Sequence, residues 1–392
     1  MTTTQTLDSK LQSLRSSLED PRIDFRILVG ATAFLLIGGV TMVVSASSVF
    51  SYDLYGNSWS LAIRQVGYAL FGVFLMWRVS YWSPVTIRRW AIILLVGSIG
   101  ALVLVLLIGT SVNGQRNWLE FGPVRVQPSE LAKLAVVLWG AHMLAWKQNY
   151  LQYRRHLVSP VVPVFGIILL LILLEGDLGT AMVMTPIMMS LFFFVGVPKR
   201  WLAAVFGVGL LGIGYYSYKA PYRMQRFTSW LNPDMDTDGI GFQLAHAKQA
   251  MGSGGWWGLG LGGSREKWGT LPEAHTDFIY AVIGEETGLL GTFAILLLFF
   301  AICVVGFRIA HRAPDLYVKL VAGGITTWIT VQMMVNVCAV LGLMPITGVP
   351  LPLVSYGGSS LVPTLIGLGI LMSFARDLDD SGVSQRASAE SA

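Results

Sequence analysis

Two cations stand inside apolar stretches of the sequence, where they could bind an anion. Arg64 is the seventh residue of the stretch 58–79, and Lys133 is the seventh residue of the stretch 127–146. Ionisable groups within a membrane span are costly and usually serve a function. Each cation also has a structural interpretation, because Lys133 could pair with Glu130 at i,i+3 and Arg64 could extend to the membrane surface. Both alternatives remain open at the level of the sequence.

A carboxylate that could exchange a proton with a substrate stands at Asp277, where the apolar stretch 277–306 begins. An acid at the start of a helix can equally serve as its cap or interact with its dipole. At ~100° per residue, Glu285 lies ~80° around the helix from Asp277, and Glu286 lies ~180° away. We therefore expect Glu285 to border any cavity that Asp277 faces, and Glu286 to find a partner within the helix bundle.

Two further segments have residue types that bind phosphate. The segment 111–126 contains Arg116 close to Trp118, and an Arg beside an aromatic ring can hold a phosphate while the ring rests on lipid or sugar. Anchoring at the membrane interface is the commoner role of such a Trp. Around Gly357, small residues could let backbone N–H groups approach an anion, or could instead allow close helix packing. The candidate anion contacts of this second segment are Ser355, Gly357, Gly358 and Ser359.

The elements that must position these groups are apolar helices. The 392 residues are 54% hydrophobic and 12% charged, whereas soluble domains have about 25% charged residues. Ten apolar stretches approach the ~20 residues that a helix needs to cross a bilayer. They are 27–48, 58–79, 89–110, 127–146, 158–175, 178–197, 201–218, 277–306, 319–342 and 352–374. We therefore predict an all-α polytopic integral membrane protein with ten transmembrane helices.

The distribution of Lys and Arg predicts the orientation of these helices. An even number places both termini on one side, and the positive-inside rule makes that side cytoplasmic. The opposite loops 49–57, 176–177 and 343–351 contain no Lys or Arg, and Arg116 and Arg125 depart from this pattern. The basic residues of the cytoplasmic segments and tails are Lys10, Arg15, Arg22, Arg26, Arg88, Arg89, Lys147, Arg154, Arg155, Lys199, Arg200, Arg308, Arg312, Lys319, Arg376 and Arg386.

The chain is predicted to have one membrane domain between two tails. Residues 1–25 form a cytoplasmic N-terminal tail, 26–376 form the ten-helix domain, and the polar tail 377–392 is expected to be disordered. The segment 219–276 forms a long external loop between the seventh and eighth helices, and loops of such length are usually functional. The net charge of +5 follows from topology, so we expect no nucleic-acid partner. The two cysteines lie in apolar stretches, which predicts no disulfide framework.

The unusual polar groups converge on one face of the predicted domain. With the orientation above, all of them lie towards the outer side of the membrane, whereas groups with unrelated structural roles would scatter over both faces. They are Arg64, Arg116, Trp118, Lys133, Asp277 and the turn Ser355–Ser360. The convergence predicts a site open to the exterior, with cations for an anion and one carboxylate for proton chemistry.

These residues resemble the motifs of the shape, elongation, division and sporulation (SEDS) family, over nearly all of residues 25–376. The matching motifs are Asn113-Gly-x-Arg116-x-Trp118, Gln127-Pro-Ser-Glu130-Leu-x-Lys133, Gly176-Asp177-Leu-Gly-Thr180, Asn232-Pro233, Gly241-Phe-Gln243, Gly258-Leu-Gly260-x-Gly262, Leu271-Pro-Glu-Ala-His-Thr-Asp277-Phe278 and Ser355–Ser360. The sequence at 272–277 resembles the division branch, FtsW, whereas Gly348–Val354 resembles the elongation branch, RodA. Glu175-Gly176 stands where a Gln-Pro pair is common in the family, so no site role is assigned to it.

The resemblance implies a peptidoglycan glycosyltransferase that polymerises lipid II into β-1,4 glycan strands on the outer face of the bacterial cytoplasmic membrane, for septal wall synthesis. Asp277 matches the family's essential aspartate and would act as the general base. Arg116, Lys133 and Arg64 would hold the pyrophosphate of the undecaprenyl-linked donor, with or without a divalent cation such as Mg²⁺ or Mn²⁺. The full set of predicted substrate-binding residues is Arg64, Arg116, Trp118, Lys133, His275, Ser355, Gly357, Gly358 and Ser359.

One carboxylate together with cations is a sufficient set of groups for this chemistry. Glycosidases need a second carboxyl group because it protonates a poor leaving group. A pyrophosphate leaves without that help, provided that its charge is stabilised. Direct attack by the acceptor hydroxyl would invert the anomeric centre.

The resemblance also implies partners and two competing functions. The implied partners are lipid II, a class B penicillin-binding protein with transpeptidase activity, the division proteins FtsQ, FtsB and FtsL, and membrane lipids. A lipid II flippase could use the same cations, but it would need a polar path to the cytoplasmic face, and the inner halves of the predicted helices are mostly apolar. A structural scaffold would explain the hydropathy but not the clustered charges. A RodA-like elongation polymerase is the alternative within the family.

Overall fold

The structure of the chain is a computed structural model. It describes residues 21–112, 114–122, 124–150, 159–218, 221–232 and 239–390. The predicted N-terminal tail therefore lies outside the described residues, except for its last five positions, which already belong to the first helix.

Helices account for most of the described chain. In chain order they are α1 (Pro21–Tyr55), α2 (Ser60–Val79), α3 (Pro84–Ile108), α4 (Pro128–Trp146), α5 (Val161–Leu174), α6 (Leu178–Val195), α7 (Lys199–Tyr218), α8 (Pro221–Leu231), α9 (Ile240–Ser253), α10 (Ile279–Arg312), α11 (Leu316–Val340) and α12 (Gly358–Glu390), with 3₁₀ turns at Gln148–Tyr150 and Glu266–Trp268.

Seven of the described helices are long and apolar enough to cross a membrane: α1, α2, α3, α6, α10, α11 and α12. Their outward faces carry large apolar side chains, as shown by Leu70 on α2, Leu107 on α3 and Phe293 on α10, each more than 60% exposed. Such exposure is expected where the surrounding solvent is lipid. Helices α4, α5 and α7 overlap the other predicted stretches, but α5 is shorter than a full span. The membrane fold is confirmed, and the number of ten spans remains a prediction.

The core lies where α11 packs against α4, α6 and α10. Helix α4 is buried along most of its length, from Pro128 to Ala145. Close helix approach is obtained with glycine: a Cβ at Gly324 would lie 2.8 Å from Val137 Cγ1, and a Cβ at Gly140 would lie 2.7 Å from Leu191 Cδ1. Small residues at such contacts allow helices to pack within a membrane.

The prediction of an all-α protein is wrong in one segment. Residues 110–126 form a three-stranded antiparallel sheet, with β1 at Thr110–Val112, β2 at Gln115–Phe121 and β3 at Val124–Val126. Positive φ at Gly114 and Gly122 allows the two tight turns. The sheet connects α3 and α4 at their predicted outer ends. The rule against open sheet edges applies only within the hydrocarbon layer of a membrane.

The described parts of the segment 219–276 include helices, which the prediction of a loop did not contain. The segment contains α8, α9 and a 3₁₀ turn, and residues 254–260 form backbone hydrogen bonds with α10 near Gly288. Helix α10 is kinked at Gly288, with φ 68° and ψ −165°, a conformation open only to glycine.

Helix α12 extends to Glu390, so the tail from 377 is helical where its composition predicts disorder. Extension of an existing helix adds one hydrogen bond per residue without the cost of a new nucleus, which the composition argument did not include.

Candidate active site

Asp277 lies in a turn that precedes α10, two residues before the helix begins. The N-cap position of α10 is Phe278, and no side chain caps the helix. The turn is closed by hydrogen bonds from the backbone N–H groups of Thr276 (3.1 Å) and Phe278 (3.2 Å) to the carbonyl of Glu273. Glu273 itself has a φ of 56°, and such strain in a residue other than glycine is common at functional sites. Asp277 therefore does not cap the helix, which was the alternative interpretation of this residue.

The backbone around Asp277 is fixed by two other elements. From α11, Asn336 Nδ2 donates to the carbonyls of Asp277 and Val349, both at 2.8 Å. From the segment before α12, Ser355 Oγ donates to the carbonyl of Thr276 at 2.7 Å, and the N–H of Tyr356 donates to the carbonyl of His275 at 3.0 Å. These contacts hold the carboxylate in place without using its oxygen atoms.

The electrostatic surroundings of Asp277 suit a general base. The side chain is half-buried. Burial raises the pKa of Asp277 to about 7, Glu273 adds to the rise, Arg226 opposes it, and the charge of Asp177 raises it further. A base works best when its pKa lies near the working pH, and a perturbed carboxyl beside a crevice is typical of functional sites.

Arg226, on α8, was not identified from the sequence. Its Nη1 lies 3.5 Å from the carbonyl oxygen of Ile346 and 3.4 Å from that of Thr347. Both carbonyls belong to the segment that borders the Asp277 crevice, and the charge of the Arg226 guanidinium acts on the Asp277 carboxylate. A signal was present, because a basic residue in a segment that is predicted to be external departs from the positive-inside rule.

A small crevice of about 10 Å³ lies beside the carboxylate, lined in part by Asp277, Asn336, Thr347 and Gly348. Its volume matches about one water molecule. Asn336 Oδ1 and Thr347 Oγ1 are buried here without a hydrogen-bond partner. A Cβ at Gly348, where φ is 73°, would lie 3.6 Å from Asp277 Oδ2. The backbone therefore approaches the carboxylate closely, and polar atoms remain for a group that enters.

Lys133 is enclosed within the bundle. Its Nζ donates to Glu130 Oε1 and to Gln332 Oε1, both at 2.7 Å, and lies 5.5 Å from the centre of the Trp328 ring. Gln332 in turn donates to the carbonyl of Pro350 (3.1 Å) and to Ser360 Oγ (3.2 Å). Lys133 thus forms the i,i+3 ion pair with Glu130. It is connected to the segment 350–360 through its hydrogen bond to Gln332.

In the turn Ser355–Ser360, polar groups form hydrogen bonds with other parts of the protein. The N–H of Gly357 donates to Gln65 Oε1 at 3.1 Å. Ser359 Oγ donates to the carbonyl of Arg125 at 2.9 Å and accepts from the N–H of Gln127 at 3.2 Å. At Gly358, a Cβ would lie 2.5 Å from the Tyr68 ring. Ser355, Gly357, Gly358 and Ser359 therefore connect α12 to the sheet, to α2 and to the Asp277 turn.

Arg64 and His275 share one aromatic cluster next to that turn. The His275 ring is 6% exposed and lies 4.8 Å from the Phe50 ring and 5.6 Å from the Tyr356 ring. Burial lowers the pKa of His275, and Glu273 opposes the change. The Arg64 guanidinium lies 4.8 Å from the Tyr55 ring centre and donates to Tyr55 Oη at 3.3 Å. Arg64 is half-exposed, so it can reach a ligand at the surface, whereas His275 packs beneath.

Arg116 and Trp118 lie on β2. Arg116 is exposed, with Nη1 3.0 Å from the carbonyl of Leu106, and Trp118 is half-buried. Between them, the buried Asn117 donates to Asp177 Oδ2 at 3.3 Å. Asp177 also receives 2.8 Å bonds from Gln127 Nε2 and from the N–H of Thr180 at the start of α6. The sheet is thus connected to a carboxylate whose charge reaches Asp277.

The expectation that Glu285 borders the Asp277 cavity is wrong. Its oxygens accept from Ser264 Oγ at 2.6 Å and from the N–H of Arg265 at 3.0 Å. Glu286 does find partners in the bundle, with Ser45 Oγ at 2.6 Å and Lys267 Nζ at 3.4 Å. The helical angle did not apply, because Asp277 lies before the first residue of the helix.

The described residues contain no group of three or more His, Cys, Asp or Glu side chains that could hold a metal ion. The residues present around Asp277 therefore do not form a protein-borne site for a divalent cation, and no chemical step is assigned to a metal.

Comparisons with known proteins identify the family of the chain. The profile of the FtsW/RodA/SpoVE family, described as cell cycle protein, matches residues 26–379. The chain is 42% identical over 356 residues to the stage V sporulation protein E of Bacillus subtilis, covering 89% of this chain and 96% of that relative. It is 37% identical over 374 residues to the probable peptidoglycan glycosyltransferase FtsW of Mycobacterium tuberculosis, covering 94% of this chain and 70% of that protein.

Solved structures share the fold. A chain from a study of the structural coordination of polymerization and crosslinking by a peptidoglycan synthase complex superposes with a TM-score of 0.74 and 30% identity, covering 89% of this chain and 97% of the other. The rod shape determining protein RodA of Thermus thermophilus superposes with a TM-score of 0.66 and 29% identity, covering 89% and 96%. The chain therefore belongs to the FtsW/RodA/SpoVE family of cell cycle proteins.

Proposed function

We propose that this protein is a peptidoglycan glycosyltransferase that polymerises lipid II, with Asp277 as its general base. The observation that carries the proposal is the Asp277 turn: a half-buried carboxylate with a pKa of about 7, braced by its backbone and bordered by a crevice and by Arg226. Relatives named as FtsW glycosyltransferases, 37% identical over most of this chain, support the same activity.

In the proposed reaction, Asp277 accepts the proton of the 4-hydroxyl of an incoming lipid II. The hydroxyl oxygen forms a bond to the anomeric carbon of the growing glycan, and the bond from that carbon to the pyrophosphate breaks. The electron pair leaves with the undecaprenyl pyrophosphate, and the anomeric centre inverts. Because the leaving group is already an anion of low basicity, no acid is needed to protonate it.

In this proposal, several arginines bind the leaving pyrophosphate. The charge of Arg226 acts on the base, Arg116 is an exposed cation of the sheet, and Arg64 is a half-exposed cation of α2. Arginine suits phosphate because its planar fork donates two parallel hydrogen bonds. Lys133 acts indirectly, by holding Gln332 against the segment that carries Ser360. Trp118 is assigned to the sugar or lipid of the substrate, and His275 to the packing of the turn.

The proposed setting is the bacterial cytoplasmic membrane, with ten spans, both termini inside and the Asp277 site outside. The apolar helices and the charge bias of the connecting segments support this orientation. The solved peptidoglycan synthase complex supports a transpeptidase partner. A septal role with FtsQ-, FtsB- and FtsL-type proteins rests on the FtsW-like motif at 272–277.

A lipid II flippase would need a polar route from this site to the cytoplasm. Below Lys133, α4 continues through Leu134–Leu138, five buried apolar residues. The cations and the carboxylate are at the outer end. This distribution favours the polymerase.

The experiment that tests the proposal is lipid II polymerisation by the purified full chain, alone and with its cognate transpeptidase. The carboxylate of Asp277 caps no helix, so Asp277→Asn should fold and insert normally, yet produce no glycan because an amide accepts no proton. Asp277→Glu should also be severely impaired, since one methylene displaces the base. Asp53→Asn, an exposed carboxylate near the end of α1, is the matched control and should polymerise normally. Near-normal polymerisation by Asp277→Asn would remove Asp277 from catalysis.

A further inference from the structure

A cavity of about 300 Å³ opens at the other end of the bundle, where α1 begins and the apolar part of α12 ends. Its lining residues are Arg22, Phe25, Arg26, Ala375, Arg376 and Asp379. The Asp277 site is at the opposite ends of these two helices, so the proposed glycosyl transfer does not account for this cavity. Its volume is at the lower limit of pockets for organic ligands.

The charges that line the cavity favour an anion. Among the described residues, three arginines and one carboxylate line the cavity, and Asp379 already pairs with Arg22, with Nε 3.0 Å from Oδ2. Arg22 and Arg26 lie at i,i+4 on α1, a spacing at which like charges repel. A third arginine, Arg376, comes from α12. Like charges gathered from two helices around an open volume are stabilised by a bound anion.

Arg376 is held rigidly for such a contact. Its guanidinium carbon lies 4.4 Å from the centre of the Phe25 ring and 4.1 Å from that of Tyr81. Its Nη1 donates weakly to the carbonyl of Ser80, at 3.5 Å. Stacking between two rings fixes the plane of the guanidinium and leaves its N–H edge for hydrogen bonding.

The depth of the cavity matches the headgroups of a bilayer. Arg26 stands directly before the apolar residues Ile27–Val29 of α1, and Ala375 ends the apolar part of α12. Val29 is 39% exposed, and Phe34 further along α1 is 71% exposed, so an acyl chain could follow the same helix. Basic pockets between helices at the cytoplasmic surface are typical sites for anionic lipids.

We infer that this cavity binds the phosphate of an anionic phospholipid of the inner leaflet, with Arg26 and Arg376 as the main contacts. The lipid's glycerol region fills the remaining volume, and its chains lie along α1. The chemistry that is recognised is a phosphate ester, which a lipid headgroup or inorganic phosphate could supply. The depth of the cavity and the apolar surface beside it favour the lipid.

Binding is tested with the purified full-length protein in detergent micelles doped with phosphatidylglycerol, with phosphatidylcholine, or with no lipid and added inorganic phosphate. Thermal unfolding and native mass spectrometry report the bound species. Phosphatidylglycerol should raise the unfolding temperature and remain bound, whereas phosphatidylcholine should do neither. Arg26→Gln should weaken the apparent affinity about fivefold, and Arg376→Gln by at least as much.

The matched control is Arg89→Gln, an exposed arginine on the same side of the bundle that does not line the cavity, and it should leave lipid binding unchanged. Equal stabilisation of wild type, Arg26→Gln and Arg376→Gln by phosphatidylglycerol would overturn the site. Equal effects of the two lipids would overturn the selectivity for anionic headgroups. A full effect of inorganic phosphate at the same concentration would assign the cavity to phosphate in place of lipid.

Discussion

At the scale of single residues, the state of Asp277 results from opposing charges. Burial and the negative charges of Glu273 and Asp177 favour the protonated form, and Arg226 favours the ionised form. The balance lies near neutral pH, where a carboxylate is both ionised in part and basic enough to take a proton from a hydroxyl. A change in the charge of any of these neighbours should therefore shift the pKa of Asp277.

The pH dependence of polymerisation follows from that balance. Only ionised Asp277 can act as base. Because the pKa of Asp277 in the folded protein is about 7, kcat/KM should fall as the pH drops below that value. Glu273→Gln removes a charge that raises the pKa, and the acid limb should move to lower pH. Arg226→Gln removes a charge that lowers the pKa, and the limb should move to higher pH. The measurement is the pH profile of initial rates for the three proteins, and an acid limb that neither variant moves would mean that another group titrates.

Lys133 and Arg116 should respond differently to loss of their charge. Lys133→Met leaves Glu130 buried without its cation, which should destabilise the fold by about 3–5 kcal/mol. The double variant Glu130→Gln/Lys133→Met should recover most of that stability. Arg116 is exposed, so Arg116→Gln should stay folded and polymerise at least about tenfold more slowly, or ~1.4 kcal/mol of barrier. Thermal unfolding and polymerisation assays separate the two effects. A double variant that is stable but more than tenfold slower would show that Lys133 contributes to catalysis beyond its part in the stability of the fold.

At the scale of elements, two helices position the Asp277 turn. Helix α11 presents Gln332 and Asn336 at i,i+4, so both amides face the same neighbour. Gln332 holds Pro350 and Ser360, and Asn336 holds Asp277 and Val349. Helix α10 contributes its kink at Gly288, where the segment 254–260 packs against it. The segment 254–260 is therefore bound to the helix that begins just after Asp277.

The kink should tolerate no side chain. A Cβ at Gly288 would lie 2.5 Å from the backbone N of Gly258 and 2.6 Å from the carbonyl of Trp256, and its φ of 68° is unfavourable for other residues. We expect Gly288→Ala to lower the unfolding temperature and the polymerisation rate together, because the 254–260 segment must separate from α10. Gly100→Ala, on α3 with no atom within 4 Å of a Cβ, is the control and should be neutral or slightly stabilising. Equal stability of the two variants would show that the segment does not depend on this contact.

At the scale of the whole molecule, the candidate site is assembled from distant parts of the chain. The turn before α10, the start of α6, α8, the sheet and the segment before α12 all contribute groups at one end of the bundle. The arginine-lined cavity of α1 and α12 lies at the other end. The two ends would face different solutions if the bundle spans the membrane as proposed.

That orientation is tested by labelling single cysteines in a background that lacks Cys303 and Cys338. Cysteines at Asn57 and Leu261, both exposed near the Asp277 end, should react with a membrane-impermeant thiol reagent in intact cells. Cysteines at Gln148 and Ala313 should react only after lysis. Labelling of the second pair in intact cells would invert the topology and place the Asp277 site inside.

The sequence by itself determined that this protein lies in a lipid bilayer and to which family it belongs. Apolar stretches of about 20 residues can only be satisfied in a bilayer as helices, so the membrane fold followed from composition and pattern. Several long motifs in the same order, from Asn113 to Ser360, indicated the family. The spacing of Glu130 and Lys133 predicted, as one of two alternatives, the ion pair that the structure contains. These features depend on local sequence, and local sequence encodes them fully.

Only the tertiary structure decided which polar groups meet. Arg226 reaches Asp277 from 51 positions away, and no period or motif relates the two. The sequence around Gly357 does not show whether its backbone N–H groups face an anion or another part of the protein. In the structure the N–H of Gly357 donates to Gln65. Glu285 was misplaced because a helical angle assumes that the helix has begun, and the turn at Glu273 delays it to Ile279. Long-range pairing of this kind is set by the energy of the assembled bundle, in which each buried polar group must find a partner, and that energy is not a property of any one segment.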